Sequence, residues 1–162
     1  MYSGRKARGK AAIDPGHWNG WGWLPLIISG QSLPAPRSLT RGAIIRALIV
    51  DDDVSLSRML SRCLTQWGWL ADEAPRVSSA LDSFKQSSYD LLLSDVDLPD
   101  GDGIFLAQAL LKVKPSLVVV IVSGNPENLE RAREVGLTAC LHKPFVLDDL
   151  RALIDLKYAE KN

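Results

Sequence analysis

Cysteine and histidine are scarce in this chain of 162 residues, with two of each: Cys63, Cys140, His17 and His142. Two cysteines are too few for a disulfide framework or a zinc site, and because both sit in apolar runs they are expected to be reduced core residues. No apolar run approaches the roughly 18 residues that cross a bilayer, so no membrane segment is expected and a cytoplasmic location is. Net charge is missing too, with 19 basic side chains against 19 acidic ones. A basic domain that binds nucleic acid directly is therefore not expected. Methionine is absent between Met1 and Met59.

The balance of charge hides two unlike segments. Residues 1–45 hold 6 of the Lys and Arg and a single acid, Asp14, which leaves 13 bases against 18 acids for residues 46–162. The first segment contains Pro15, Pro25, Pro34 and Pro36, seven glycines, and Trp18, Trp21 and Trp23, without a sustained period of 2 or 3.6. It reads as a loop-like or disordered basic tail. As an export signal it reads poorly, since the apolar stretch from Trp23 to Ser29 is short, contains Pro25 and is followed by no small-x-small cleavage site. An upstream, mistaken start codon is the other reading of this tail.

From residue 46 the pattern changes to short apolar runs alternating with amphipathic stretches. Strands are predicted over Ala47 to Val50, Leu70 to Glu73, Asp90 to Ser94, Leu117 to Val122 and Thr138 to Leu141. Between them lie helical faces: Leu56, Leu60, Cys63, Leu64 and Trp67; Val77, Leu81 and Phe84; Ile104, Leu106, Leu110 and Leu111; Leu129, Ala132 and Val135; Leu147, Leu150, Leu153 and Ile154. Gly68 and Gly136 stand as helix stops. Five strand-helix units predict an α/β domain at 46–162, a doubly wound parallel sheet with helices on both faces and right-handed crossovers.

In such a sheet the loops at the carboxyl ends of the strands converge on a crevice. The residues placed there are Asp51, Asp52 and Asp53 after the first strand, Asp95 after the third, Ser123 after the fourth and Lys143 with Pro144 after the fifth. If the first and third strands are neighbours, Asp51, Asp52 and Asp95 form a cluster that repels itself and must take up protons or a cation; oxygen-only ligands suit Mg²⁺. With the Lys143 ammonium and the Ser123 hydroxyl, the set matches the charge of a transferring phosphoryl group. One carboxylate can then act as nucleophile and become an aspartyl phosphate.

Four stretches in this order and spacing, LIVDDD at 48–53, YDLLLSDVDLPDGDG at 89–103, VVVIVSG at 118–124 and KPF at 143–145, resemble the receiver domain of two-component response regulators. The resemblance spans residues 46–158 and implies a flavodoxin-like sheet of order 2-1-3-4-5. It further implies that Asp95 accepts the phosphoryl group, that Asp52 binds Mg²⁺ directly and Asp51 through water, and that Asp97 binds it through its main-chain carbonyl. Ser123 would be the switching hydroxyl, Lys143 the phosphoryl-contacting lysine, and the Lys143-Pro144 bond cis. Asp97 and Asn125 fall where the family tunes phosphoryl lifetime. The implied donor is a histidine kinase or histidine phosphotransfer protein. A chemotaxis-regulator-like receiver without an output domain would then signal by contact with a downstream protein that the sequence does not name. One departure stands out: three residues before the lysine, where the family usually has Tyr or Phe, this chain has Cys140.

Plainer readings sit beside these. Asp53 is expected to cap the first helix, His142 to lie at a sheet end or on the surface, and Asp100 and Asp102 to belong to a Gly/Asp turn. A calcium loop starting at Asp95 fails, because Pro99 and Leu106 occupy positions that need oxygen ligands. Glu127, Glu130, Arg131 and Arg133 on the fourth helix, and Asp148, Asp149 and Arg151 on the fifth, read as a solvated mixed-charge surface. Two other functions share these residues. One is a receiver-like module that binds partners without phosphorylation. The other is a phosphatase of the haloacid dehalogenase kind, whose D-x-D motif Asp95-Val96-Asp97 imitates, although there the D-x-D precedes the acidic pair and here Asp51 and Asp52 come first. A receiver is not an enzyme in that sense, since it is phosphorylated stoichiometrically.

Overall fold

The computed structural model describes residues 45–161. The expectations for the tail, His17 and the three N-terminal tryptophans included, lie outside the described residues. Chain order is β1 (Arg46–Val50), α1 (Val54–Gln66), β2 (Leu70–Ala74), α2 (Val77–Gln86), β3 (Leu91–Asp95), β4 (Asp97–Leu98), β5 (Gly101–Asp102), α3 (Gly103–Val113), β6 (Val118–Ser123), α4 (Pro126–Glu134), β7 (Cys140–His142) and α5 (Leu147–Ala159). Five of the strands form one parallel sheet in the order β2-β1-β3-β6-β7. This is the predicted 2-1-3-4-5 order of a flavodoxin-like sheet, with the small antiparallel pair β4-β5 inserted after β3. That hairpin was not legible in the sequence, because two-residue strands carry no period.

Alternation along the central strands sorts the core into two layers. Ala47 and Ile49 of β1 with Leu91 and Leu93 of β3 face Leu60 and Leu64 of α1 and Leu150 and Ile154 of α5. Leu48, Val50 and Leu92 face Ala80 of α2, Leu106, Ala107 and Leu110 of α3, and Leu129 and Ala132 of α4. Each leucine that is fully buried in this way contributes about 2 kcal/mol. The strand ends are thereby held rigidly, and the loops that follow them carry the polar residues.

Helix ends follow local chemistry. Asp53 Oδ1 accepts from the N–H groups of Ser55 (2.9 Å) and Leu56 (3.1 Å), capping α1 as expected. After Trp67 the chain turns at Gly68 with φ of +91°, a left-handed conformation that favours glycine. Asp100 does more than belong to a turn: its carboxylate accepts from Val77 N (2.7 Å) and Ser78 N (3.0 Å), and so caps α2 from 23 residues downstream. Arg76, at the N-cap of that helix, makes no side-chain capping bond.

Three expectations need correction. Cys63 and Cys140 are free but only partly buried, Cys140 packing against the core from β7 at the edge of the sheet. Val135 is exposed, since α4 ends at Glu134 and the chain leaves the helical path before reaching it. Arg131 is not a merely solvated charge, because it pairs with Asp102 at 2.7 Å. No helix among the described residues is long and apolar enough to cross a membrane.

Candidate functional site

Asp51 follows β1 and Asp95 ends β3, and pairing of these strands in parallel register, Val50 opposite Ser94, brings the two carboxylates together. Ligand oxygens of Asp51, Asp52 and Asp95 all lie within 4.8 Å of one another. Asp51 is buried at 5% exposure, Asp95 is half-buried and Asp52 is exposed. From the far side of the sheet Lys143 Nζ donates to Asp51 Oδ2 (2.7 Å) and Asp95 Oδ2 (2.5 Å). The Lys143-Pro144 bond is cis, as expected.

Main-chain groups fix the remaining carboxylate oxygens. Asp51 Oδ1 accepts from Asp53 N (2.9 Å), and the Ser57 hydroxyl donates to the Asp51 carbonyl (3.2 Å), tying α1 to the site. Asp95 Oδ1 accepts from Val96 N (2.6 Å) and at longer range from Asp97 N (3.4 Å). The close seat of α3 depends on Gly103, where a Cβ would stand 1.8 Å from the Asp95 carbonyl oxygen and 2.7 Å from Ser94 Oγ. Ser94 itself is wholly buried, and its hydroxyl is satisfied by that same carbonyl at 2.8 Å.

The electrostatics are lopsided: one ammonium bonds two of three clustered carboxylates. Burial pushes the Asp51 carboxyl above the usual carboxylate value, only partly offset by its bonds from Lys143 and the Asp53 amide. Burial alone would lower Lys143, but its bonds to Asp51 and Asp95 outweigh this and hold the ammonium charged above the ordinary lysine value. By formal charge, one ammonium stands against three carboxylates. An all-oxygen donor set with excess negative charge fits a hard divalent cation.

Ser123 ends β6 fully buried, and its Oγ accepts from Asn125 N (3.1 Å) and, more weakly, from Asn128 Nδ2 (3.4 Å). Asn125 caps α4 through Glu127 N at 3.0 Å. The Asp97 side chain is exposed and turned to α4, accepting from Asn128 Nδ2 at 2.8 Å. His142 is exposed at the end of β7, as expected. The Cys140 thiol donates to the Leu137 carbonyl at 3.0 Å, and burial raises its pKa. Asn128 and Arg131 were not singled out from the sequence as site residues. Nothing in a single chain marks an asparagine whose partner lies 31 residues away.

The family model for the response regulator receiver domain matches residues 47–155. Among curated proteins, the sensor protein EvgS of Escherichia coli K12 is 32% identical over 134 residues, covering 79% of this chain and 11% of that protein. The sensor histidine kinase RcsC of Salmonella typhi is 34% identical over 116 residues, covering 70% of this chain and 12% of its own length. The chain thus spans about a tenth of the length of these relatives. A CheY-like receiver domain protein from Methanospirillum hungatei superposes with a TM-score of 0.68 at 28% identity, covering 74% of this chain and 97% of that one.

Proposed function

The chain belongs to the response-regulator receiver family of two-component systems, and from that premise we propose that Asp95 is its phosphoacceptor. The observation that carries this is the shared grip of Lys143 on Asp95 and Asp51, with Asp52 completing an undercompensated carboxylate cluster. A histidine kinase or histidine phosphotransfer protein presents a phosphohistidine at the crevice. A carboxylate oxygen of Asp95 attacks phosphorus, a P–O bond forms as the P–N bond breaks, and the imidazole nitrogen keeps the electron pair and is protonated from solvent. The phosphoryl group leaves Asp95 when water attacks phosphorus, which releases inorganic phosphate and restores the carboxylate.

Lys143 already touches Asp95 Oδ2 and is placed to hold its positive charge against the equatorial oxygens of the group in transfer. Ser123 supplies a hydroxyl donor from the neighbouring strand end. Asp51, Asp52, Asp95 and the main-chain carbonyl of Asp97 would hold Mg²⁺, which when bound neutralises the charge that develops on the phosphoryl oxygens. Asp51 and Asp52 thereby act as ligands, and the acidic pair needs no acid/base role. The altered loops then change the surface offered to a downstream protein.

The test is incubation of the full chain with Mg²⁺ and acetyl phosphate, followed by intact mass. The expected result is one phosphoryl group on the native chain and none on Asp95→Ala or without metal. No adduct from either acetyl phosphate or a phosphohistidine donor overturns the reading. Sustained turnover of p-nitrophenyl phosphate would point to a phosphatase instead.

A further inference from the structure

Asn128, in the first turns of α4, is buried at 7% exposure and joins three other groups through its side chain. Its Nδ2 donates to Asp97 Oδ2 at 2.8 Å and reaches Ser123 Oγ at 3.4 Å, while its Oδ1 accepts from Arg131 Nη1 at 2.9 Å. Arg131 Nη2 continues to Asp102 Oδ2 at 2.7 Å, and Asp102 Oδ1 caps α3 through Ile104 N at 2.7 Å. Gly103 then packs directly against the Asp95 carbonyl. The contacts close a ring: Asp95, Asp97, Asn128, Arg131, Asp102, Gly103 and back to Asp95.

We propose that Asn128 is a positioning residue for Asp97 and Ser123, and that through Arg131 it carries a change at Asp95 into α4. The proposal rests on Asp95 being the phosphoacceptor. A Ser123 hydroxyl that donates to a phosphoryl oxygen must turn toward it, and its 3.4 Å contact is the weakest of the three bonds made by the Asn128 side chain. A buried amide N–H cannot lose a partner without cost, so Asn128 shifts with Ser123 or is drawn wholly to Asp97. Either movement displaces its Oδ1 and hence Arg131, which spans α4 and the start of α3. The thiol of Cys140 is too small to act as an inward-turning ring and is already engaged with the Leu137 carbonyl. The polar ring therefore links the site to α4 where no aromatic side chain does.

The experiment follows amide hydrogen exchange of the α4 segment in the full chain, with and without Mg²⁺ and beryllofluoride, which stands in for the phosphoryl group. Native protein is compared with Arg131→Ala and Asn128→Asp. The expected result in native protein is a change of about fivefold or more, the lower end of ordinary coupling between sites. In both variants that change is lost, while Arg131→Ala still takes one phosphoryl group from acetyl phosphate. The proposal is overturned if the variants respond in α4 as the native chain does, or if native protein is phosphorylated without any response there. Failure of the native chain to take a phosphoryl group overturns the proposed function and this inference together. Arg131 is half-exposed, so its variant decides the matter if Asn128→Asp does not fold.

Discussion

Charged side chains gather at both ends of the central strands, and the two gatherings obey different rules. Around the amino ends of β1 and β3, Lys114 and Arg46 each pair with an acid. Lys114 donates to Asp90 (2.9 Å) and to the Tyr89 carbonyl (2.5 Å), Arg46 lies 3.4 Å from Asp72, and the Tyr89 hydroxyl donates to Asp72 at 2.8 Å. The Arg46–Asp72 contact is an ion pair without hydrogen-bond geometry, since Arg46 Nε has no hydrogen-bond partner. At the carboxyl ends three acids meet one base. Paired charges close the amino end of the sheet, whereas clustered carboxylates repel one another, and a bound cation relieves that repulsion.

Four measurements sharpen or break that contrast. The largest effect is expected for Gly103→Ala, whose Cβ would collide with the backbone of Asp95. Urea unfolding should show a loss of about 3 kcal/mol or more, and a loss below about 1 kcal/mol would mean that α3 does not need its close seat. Next comes Mg²⁺. At about one hundred times its dissociation constant it should stabilise the protein by about 2.7 kcal/mol, a rise in Tm of roughly 10 °C for a domain of this size. Asp52→Ala should abolish that rise.

The Mg²⁺ effect also has a sign in pH. Because burial raises the Asp51 carboxyl above 3.8, the folded state keeps a proton that the unfolded chain has lost, and metal-free stability falls as pH rises from 3.8 through the raised value. The metal competes with that proton, so its gain in Tm should grow across the same interval. A gain independent of pH there would place the metal away from Asp51. The smallest effect is expected at the other end of the sheet. Lys114→Met removes bonds to Asp90 and Tyr89 and should cost about 1 kcal/mol by thermal unfolding. The Mg²⁺ shift should persist unchanged in that variant, and its loss would show that the two clusters are not independent.

Much of the fold was legible because both faces of the sheet are buried. Ala47, Leu48, Ile49 and Val50 are wholly buried and form a continuous apolar run, as a central parallel strand requires. The leucines of α1 recur at turns of the same helix. The site was legible for a related reason: its residues are punctuation after apolar runs, so Asp51, Asp95, Ser123 and Lys143 occupy strand ends whatever the details of packing. The exceptions were side chains whose partners lie far along the chain. Asp100 caps a helix that begins 23 residues before it, and Asn128 and Arg131 reach back 31 and 29 residues to Asp97 and Asp102. Cys140 was expected to lie within the core and packs against it only partly buried, since β7 is a three-residue strand at the edge of the sheet.

By itself the sequence determined the alternation of strands and helices, the parallel sheet and the identity of the residues at its carboxyl edge, because hydrophobic period and strand-end position are local properties of the chain. Only the tertiary structure decided that the strands carrying Asp51 and Asp95 are neighbours, that a Cβ at position 103 would meet the Asp95 backbone, and that Asn128 and Arg131 join the acceptor loop to α4. Those facts depend on distances of a few ångströms between segments far apart in sequence, and such distances are set by how the loops settle on a packed core.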